Sequence, residues 1–249
     1  MLLKGKVAMV TGAASPNGIG MATARLFAEH GARVAVIDLE SQGPAAAASA
    51  VGDGHRGYAC DVSDGAQCHA AAEAVRRDLG AVDVLVNNAG IVQSQKLEEI
   101  RPEDWEAVID TNLRGNFQMA QAVVPHMRER SAGAIVCVSS VAGQRGGGIF
   151  GTSHYAASKA GILGLAKALA RELAPDGIRV NAVAPGTIDN DFTRGGMTAE
   201  IKARIAHDTP LGRLGTSEDV AKVCLFLASD LASYVTGAVI DVNGGQHIH

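Results

Sequence analysis

Apolar residues fall along the chain in short β-branched runs that alternate with longer stretches of helical period. Val7–Thr11, Arg33–Asp38, Arg56–Cys60, Val82–Asn87, Ala134–Ser139, Ile178–Ala184 and Ala238–Val242 are nearly continuous in apolar residues. Such runs mark strands covered on both faces rather than on one. Between them, Gly18–His30, Ala66–Leu79, Pro102–Glu129, Tyr155–Leu173 and Ser217–Ala228 read as helices. Pro102 suits a first helical position, with Glu103 and Asp104 at the positive end of the dipole. Thr216 has the chemistry of an N-cap before Ser217-Glu218-Asp219. Strand–helix alternation predicts right-handed crossovers, hence an α/β, doubly wound sheet of about seven parallel strands with helices on both faces. There is no Ser/Pro-rich linker and no repeat, so one domain is expected over 1–249. Two stretches break the rhythm: glycine-rich Arg145–His154, and a long polar loop at about 187–210. Both follow strand carboxyl ends, where open α/β sheets bind ligands.

Composition narrows the function classes. The 249 residues are 47% hydrophobic and 19% charged, with a formal net charge of -4. A chain this size can bury a large core without metals or disulfides. The slight acidity argues against a nucleic-acid or anionic-membrane partner, which would require a basic patch. No run approaches ~18 apolar residues, so no membrane span is expected. Met1-Leu2-Leu3-Lys4-Gly5-Lys6 runs into the first strand without a signal-peptide pattern, and a cytoplasmic protein is expected. Cys60, Cys68, Cys137 and Cys224 have no zinc spacing and read as buried small hydrophobes. No metal is expected.

The first strand leads into Thr11-Gly12-Ala13-Ala14-Ser15-Pro16-Asn17-Gly18-Ile19-Gly20, which opens a helix. Glycines let the backbone approach an anion, and a helix amino end offers free N–H groups to a pyrophosphate. A glycine turn used only for tight packing is the alternative. Asp38 ends the second strand, where a carboxylate can accept bonds from both hydroxyls of an adenosine ribose. A 2′-phosphate there would meet like charge, about 4 kcal/mol per unit pair at ~4 Å and an effective dielectric of ~20. No cation stands at Asn17, Leu39 or Glu40 to relieve it. NAD(H) is therefore expected over NADP(H), unless Asp38 is merely a turn residue.

Tyr155 and Lys159 stand at i and i+4 on one helix face. A phenol of pKa ~10 is a poor base at neutral pH. An ammonium ~4 Å away could lower it by about three units, worth about 4 kcal/mol. The alternative is a snorkelling lysine beside a half-buried tyrosine.

Thr11-Gly12 with Gly18-Ile19-Gly20, Cys60-Asp61-Val62, Asn87-Asn88-Ala89-Gly90, Asn112, Ser139-Ser140, Tyr155/Lys159 and Pro185-Gly186 follow one another in an order that resembles the short-chain dehydrogenase/reductase family. The resemblance spans the whole chain and implies a Rossmann-type sheet. It implies Tyr155 as general acid/base, Ser140 as holder of the substrate oxygen, Lys159 as the group that tunes Tyr155 and binds the nicotinamide ribose, and Asn112 as holder of a proton-relaying water. Asn112 could instead be an interior polar residue, and Ser139 and Ser140 turn residues. Coenzyme contacts are expected at Gly12, Ser15, Asn17, Gly18, Ile19, Gly20, Asp38 and Leu39. Further contacts fall at Asp61 and Val62 around adenine, Asn88, Ala89 and Gly90 along strand four, and Pro185, Gly186 and Ile188 at the nicotinamide, beside Tyr155 and Lys159. Substrate contacts are expected at Ser140, Gln144, Phe150, Tyr155 and Phe192, with Arg145, Asp191 and Met197 at the pocket edge.

The pattern departs from the family in places. Five residues separate Gly12 and Gly18, where three are usual, so Ser15-Pro16 enlarges the turn. Enoyl reductases of the superfamily also enlarge it, but they separate Tyr and Lys by more residues than Tyr155 and Lys159. The implied reaction is hydride transfer between NAD(H) and a secondary alcohol or ketone, such as a polyol, sugar or other small hydroxy compound. The competing readings are a 3-oxoacyl-[acyl-carrier-protein] reductase and a catalytically silent dinucleotide-binding regulator. Carrier reductases usually take NADPH and dock an acidic carrier on basic residues; here Asp176 stands at one docking position and Arg130 at another. Pairing of the helices Pro102–Glu129 and Tyr155–Leu173 across a two-fold axis implies a homotetramer.

Overall fold

A computed structural model of the chain describes residues 1–148, 150–193 and 195–249. Ile149, within the glycine-rich Arg145–His154 stretch, and Arg194, within the expected 187–210 loop, lie outside the described residues. Seven strands, β1 (Val7–Thr11), β2 (Arg33–Asp38), β3 (Arg56–Ala59), β4 (Val84–Asn87), β5 (Gly133–Val138), β6 (Ile178–Pro185) and β7 (Val239–Val242), form one sheet in the order β3-β2-β1-β4-β5-β6-β7. Every pairing is parallel; at the centre Val10 faces Val36 on one side and Val86 on the other. The chain runs outward from β1 to β3 and then restarts at β4 on the other side. That reversal opens a crevice above the carboxyl ends of β1 and β4, the position at which doubly wound sheets take ligands.

The strands feed two cores by simple alternation. Val7, Met9, Ala35, Ile37, Leu85, Ile135, Cys137 and Val180 point to one face, against α3 (Gly65–Leu79), α5 (Gly115–Arg128) and α7 (Ser153–Leu173). Ala8, Val10, Val34, Val36, Val84, Val86, Val136 and Val183 point to the other, against α1 (Ile19–Glu29), α2 (Pro44–Val51) and α9 (Ser217–Ala228). The period of two sends neighbours to opposite faces, and helices on both faces make each strand apolar throughout. In α1, Gly20, Ala24 and Phe27 fall on one stripe and are buried. Burial of a side chain such as Phe27 contributes about 1.5–3 kcal/mol. Thr216 caps α9 as expected: its hydroxyl accepts from Asp219 N, and Asp219 accepts in return from Thr216 N.

Three departures matter for the site. Pro102–Glu129 is not one helix: α4 (Pro102–Ile109) passes through a π-turn at Asp110–Arg114 into α5. There the Asn116 side-chain amide donates to the Asn112 carbonyl at 2.7 Å, in competition with the regular ladder. The 187–210 stretch contains α8 (Ala199–Asp208), capped by the Thr198 hydroxyl on Ile201 N. A short α6 (Val141–Arg145) follows β5, with Ser140 as its N-cap. Among the described residues, no helix is long and apolar enough to cross a membrane. All four cysteines are free and buried; burial pushes the thiols of Cys137 and Cys224 up to about 12, so both stay protonated at neutral pH.

Candidate active site

A continuous cavity of about 750 Å³ runs along the carboxyl edge of the sheet, from Asp38 at one end to Tyr155 and Phe192 at the other. At its floor β1 turns through Gly12 into α1. Gly12 has φ +63°, and a Cβ there would sit 2.7 Å from Ala89 Cα, so only glycine permits both the turn and the contact with β4. Asn88 locks this crossing by donating its side-chain N–H groups to the carbonyls of Thr11 and Gly12, both at 2.9 Å. The Thr11 hydroxyl accepts from the N–H groups of Asn88 and Ala89. Among the described residues no side chain caps α1, so its first-turn N–H groups remain directed at the cavity.

Asp38 is held by two backbone donors, Ala14 N on Oδ2 and Leu39 N on Oδ1, each at 2.9 Å. Its carboxylate therefore sits fixed at the cavity end, and among the described residues no Arg or Lys lines that end. The Asp61 carboxylate accepts from Ser63 N and the Ser63 hydroxyl, and Val62 lies beside it on the cavity wall. A bare-backbone turn at a helix amino end, a fixed carboxylate and a long cleft suit a dinucleotide: pyrophosphate on the helix, ribose hydroxyls on Asp38.

At the other end, α7 carries Tyr155 and Lys159, both buried. Lys159 Nζ donates to the Val138 carbonyl at 2.9 Å and lies 5.7 Å from the centroid of the Tyr155 ring. The Ser139 hydroxyl donates to the Lys159 carbonyl at 2.7 Å and is spent there. Ser140 Oγ accepts from Ala142 N and faces the cavity next to Tyr155, within hydrogen-bonding reach of its phenol. Asn112 is fully buried below this group; its Oδ1 accepts from Ile91 N, and its Nδ2 donates to Ile91 O and to Ser158 Oγ. A Cβ at Gly90 would lie 3.0 Å from Asn112 Oδ1 and 3.5 Å from Lys159 Nζ, so glycine lets the two approach.

The electrostatics differ from the expectation that the ammonium would pull the phenol down. Burial pushes Tyr155 up to about 12, the Ser140 hydroxyl pulling only weakly the other way. Burial likewise brings Lys159 down to about 8. Desolvation of each charged form is the largest cause in both, and the Lys159 ammonium is engaged by Val138 O rather than by the phenol. The phenol is thus set as a proton donor at neutral pH. A reaction that takes this proton is expected to vary by less than about twofold between pH 6 and 8, whereas one that needs the phenolate should rise about tenfold per unit. Parallel kcat/KM profiles in the two directions check this; a phenolate-requiring direction flat with pH would contradict it.

The structure brings most of the sequence-derived residues to the cavity wall: Gly12, Ser15, Gly18 and Ile19 in the turn, Leu39 beside Asp38, Asn88, Ala89 and Gly90 from the end of β4, and Pro185, Gly186 and Ile188 after β6. Phe150 and Phe192 line the substrate end. Four do not join them there: Asn112, buried below the wall with both side-chain groups engaged by Ile91 and Ser158, and three others. Gly20 packs behind the turn, where a Cβ would lie 2.7 Å from Asn88 Nδ2. Asn17 is turned to the substrate loop, its Nδ2 donating to Asp191 Oδ2 at 2.9 Å. Gln144 points away, donating to Asp241 Oδ1 at 2.7 Å and meeting His249. Gln246 and Gln93 are among the wall residues that no sequence signal singled out. Gln246 near the carboxyl terminus accepts from Thr187 N and donates to Thr209 Oγ1, tying the turn after β6 to the end of α8. Gln93 faces buried His154 at 2.9 Å. Neither lies in a periodic segment, and their partners are far along the chain.

A parallel doubly wound sheet with a nucleotide-length cleft and a buried Tyr/Lys pair at its far end defines a class of dinucleotide-linked oxidoreductases. Sequence comparison agrees. A family model described as enoyl-(acyl carrier protein) reductase matches residues 12–247. An uncharacterised short-chain type dehydrogenase/reductase of Sinorhizobium fredii is 52% identical over 253 residues, covering 100% of both chains. The 3-oxoacyl-[acyl-carrier-protein] reductase FabG of Escherichia coli is 41% identical over 248 residues with the same full coverage. That of Thermotoga maritima is 46% identical over 249 residues, covering 98% of this chain and 99% of its own. The chain belongs to the short-chain dehydrogenase/reductase family.

Proposed function

We propose that the protein transfers a hydride reversibly between NAD(H) and a small secondary alcohol or ketone in the cytoplasm. The observation that carries this reading is one continuous cavity with a fixed, uncompensated Asp38 carboxylate at one end and the Ser140/Tyr155 hydroxyls at the other. The nicotinamide, when bound, supplies or accepts the hydride. Ser140 donates its hydroxyl proton to the substrate oxygen and fixes it beside Tyr155. Tyr155 gives the proton to that oxygen in reduction and takes it back in oxidation. Lys159, anchored on Val138 O, keeps two N–H groups for the nicotinamide ribose. Asn112 acts through others: it holds the Ile91 backbone and Ser158, and with them the shape of the wall on which Tyr155 and Lys159 sit. The relatives named as 3-oxoacyl-[acyl-carrier-protein] reductases favour a second reading, reduction of a carrier-bound 3-oxoacyl thioester. Against it, Arg130 is paired with buried Asp83 at 3.1 Å, and Asp176 with Arg128 at 2.7 Å. Neither position offers a free cation to an acidic carrier. A screen of secondary alcohols, hydroxy acids and acetoacetyl thioesters with NAD(H) and NADP(H) decides between them; thioester reduction alone, with NADPH, would overturn the first.

The partly exposed Trp105 on α4 and Phe117 on α5 support assembly through these helices into a homotetramer. Light scattering at micromolar concentration should give about four times the mass of one chain, and a monomer would contradict it.

A further inference from the structure

Two thiols beside the Asp38 end of the cavity have no part in hydride transfer. Cys60 follows the last residue of β3 and lines the cavity, and its backbone N–H donates to the Asp38 carbonyl at 2.8 Å. Cys68 lies one turn into α3 and is fully buried in the core on that face of the sheet. The short turn between them carries Asp61 and Val62, both on the cavity wall. Asp64 ends the turn as the N-cap of α3, and Gln67, next to Cys68, accepts from Asp61 N at 3.0 Å. The turn brings the two sulfurs together: the Cys60 thiol hydrogen-bonds to Cys68, whose own S–H donates to the Val62 carbonyl at 3.5 Å. The contact with Cys60 holds the Cys68 thiol below the ordinary cysteine range, and the same contact together with burial pushes Cys60 up. Cys137 and Cys224 are placed otherwise. Cys137 neighbours Asn87 and Lys159, Cys224 neighbours Thr23, and neither has a second thiol beside it.

Two thiols in contact can pair within one chain once a two-electron oxidant reaches them, and the cavity offers a small oxidant a path to Cys60. We propose that Cys60 and Cys68 are a redox modification site, converted by hydrogen peroxide to a disulfide that weakens coenzyme binding. The effect on the coenzyme rests on the dinucleotide reading of the cavity given above. One sulfur, as its thiolate, attacks a peroxide oxygen; the O–O bond breaks, and the leaving hydroxide takes up the thiol proton as water. The other sulfur then attacks the sulfenic acid so formed; the S–S bond forms, the S–O bond breaks, and a second water leaves. The two thiols lose two electrons and two protons, and the peroxide becomes two waters. A covalent S–S bond of ~2.05 Å is shorter than any contact between two thiols, so the sulfurs must close on one another. Cys68 is held by the core, whereas Cys60 belongs to the turn, and its movement carries Asp61, Val62 and the contact with the Asp38 carbonyl along with it. Adenine and its ribose then meet displaced partners. Conversely, a dinucleotide lying on Asp61 and Val62 covers the approach to Cys60.

The test treats the purified protein with hydrogen peroxide, alkylates the remaining thiols and maps tryptic peptides without reduction. Both cysteines fall in the peptide Gly57–Arg76, so the disulfide reads as a loss of two hydrogens with no alkylation. That peptide is expected, and dithiothreitol should return it to the doubly alkylated form. NADH affinity, by fluorescence titration, should fall about tenfold or more on oxidation, recover with dithiothreitol, and stay unchanged in Cys68→Ala treated alike. NADH at about ten times its Kd during the treatment should slow disulfide formation about tenfold. The peptide readout uses the wild type alone, so it decides even if Cys68→Ala fails to fold. A peptide still doubly alkylated after treatment, or a disulfide that leaves NADH affinity unchanged, overturns the proposal. If the disulfide forms while the untreated protein binds neither NADH nor NADPH, the thiol pair stands as a modification site and the dinucleotide reading falls.

Discussion

Tyr155→Phe is expected to lower kcat by at least ~10²-fold while NADH still binds. The ring packs against Val108 and Ala142, and Phe keeps that packing. What it removes is one hydroxyl, which stands beside Ser140 with its pKa pushed up to about 12. At neutral pH that proton is on the phenol and can pass to a developing alkoxide, whereas the Ser139 hydroxyl is spent on the Lys159 carbonyl and cannot stand in for it. A 10²-fold loss corresponds to about 2.7 kcal/mol of transition-state stabilisation. Steady-state kcat and a fluorescence titration with NADH separate chemistry from binding. Turnover equal to the wild type would remove Tyr155 from the mechanism.

The second large effect concerns the coenzyme. Wild-type kcat/KM for NADPH should fall at least about 10²-fold below that for NADH, and Asp38→Asn should narrow the gap to about tenfold. A like-charge contact at ~4 Å costs about 4 kcal/mol per unit pair before screening. Asp38 cannot swing away cheaply, because Ala14 N and Leu39 N hold both of its oxygens. Asn retains one of those acceptors and loses the charge, so a melting curve should accompany the kinetics. Comparable kcat/KM for the two coenzymes in the wild type would sink the NAD(H) assignment.

Much of the site is written in local pattern along the chain. Apolar runs place the strands, because burial on two faces leaves no polar positions to interrupt them. The glycines of the first turn and the i, i+4 spacing of Tyr155 and Lys159 are local geometry, and β1, α1 and α7 place them as that spacing requires. Elements with weak periodicity escaped. Five of the eight residues of Pro44–Val51 are alanine, so it shows no apolar stripe although it is helical. Ala199–Asp208 buries only Ile205 within a polar stretch that reads as a loop. The helix expected over Pro102–Glu129 is interrupted because Asn116 competes for a carbonyl, a contact that periodicity does not encode.

From sequence alone came the sheet class, the glycine turn after β1, the strand-end Asp38 carboxylate and the Tyr155/Lys159 pair, since each depends on residues within a few positions of one another or on repeated burial. The folded chain alone decided which groups those side chains meet. It gave Lys159 the Val138 carbonyl, turned Gln144 toward Asp241, and set Gln93 against His154. It also reversed the expected direction of the Tyr155 shift. A pKa in a buried site sums desolvation by every segment packed around it, and those segments are brought together only when distant parts of the chain close over the same cavity.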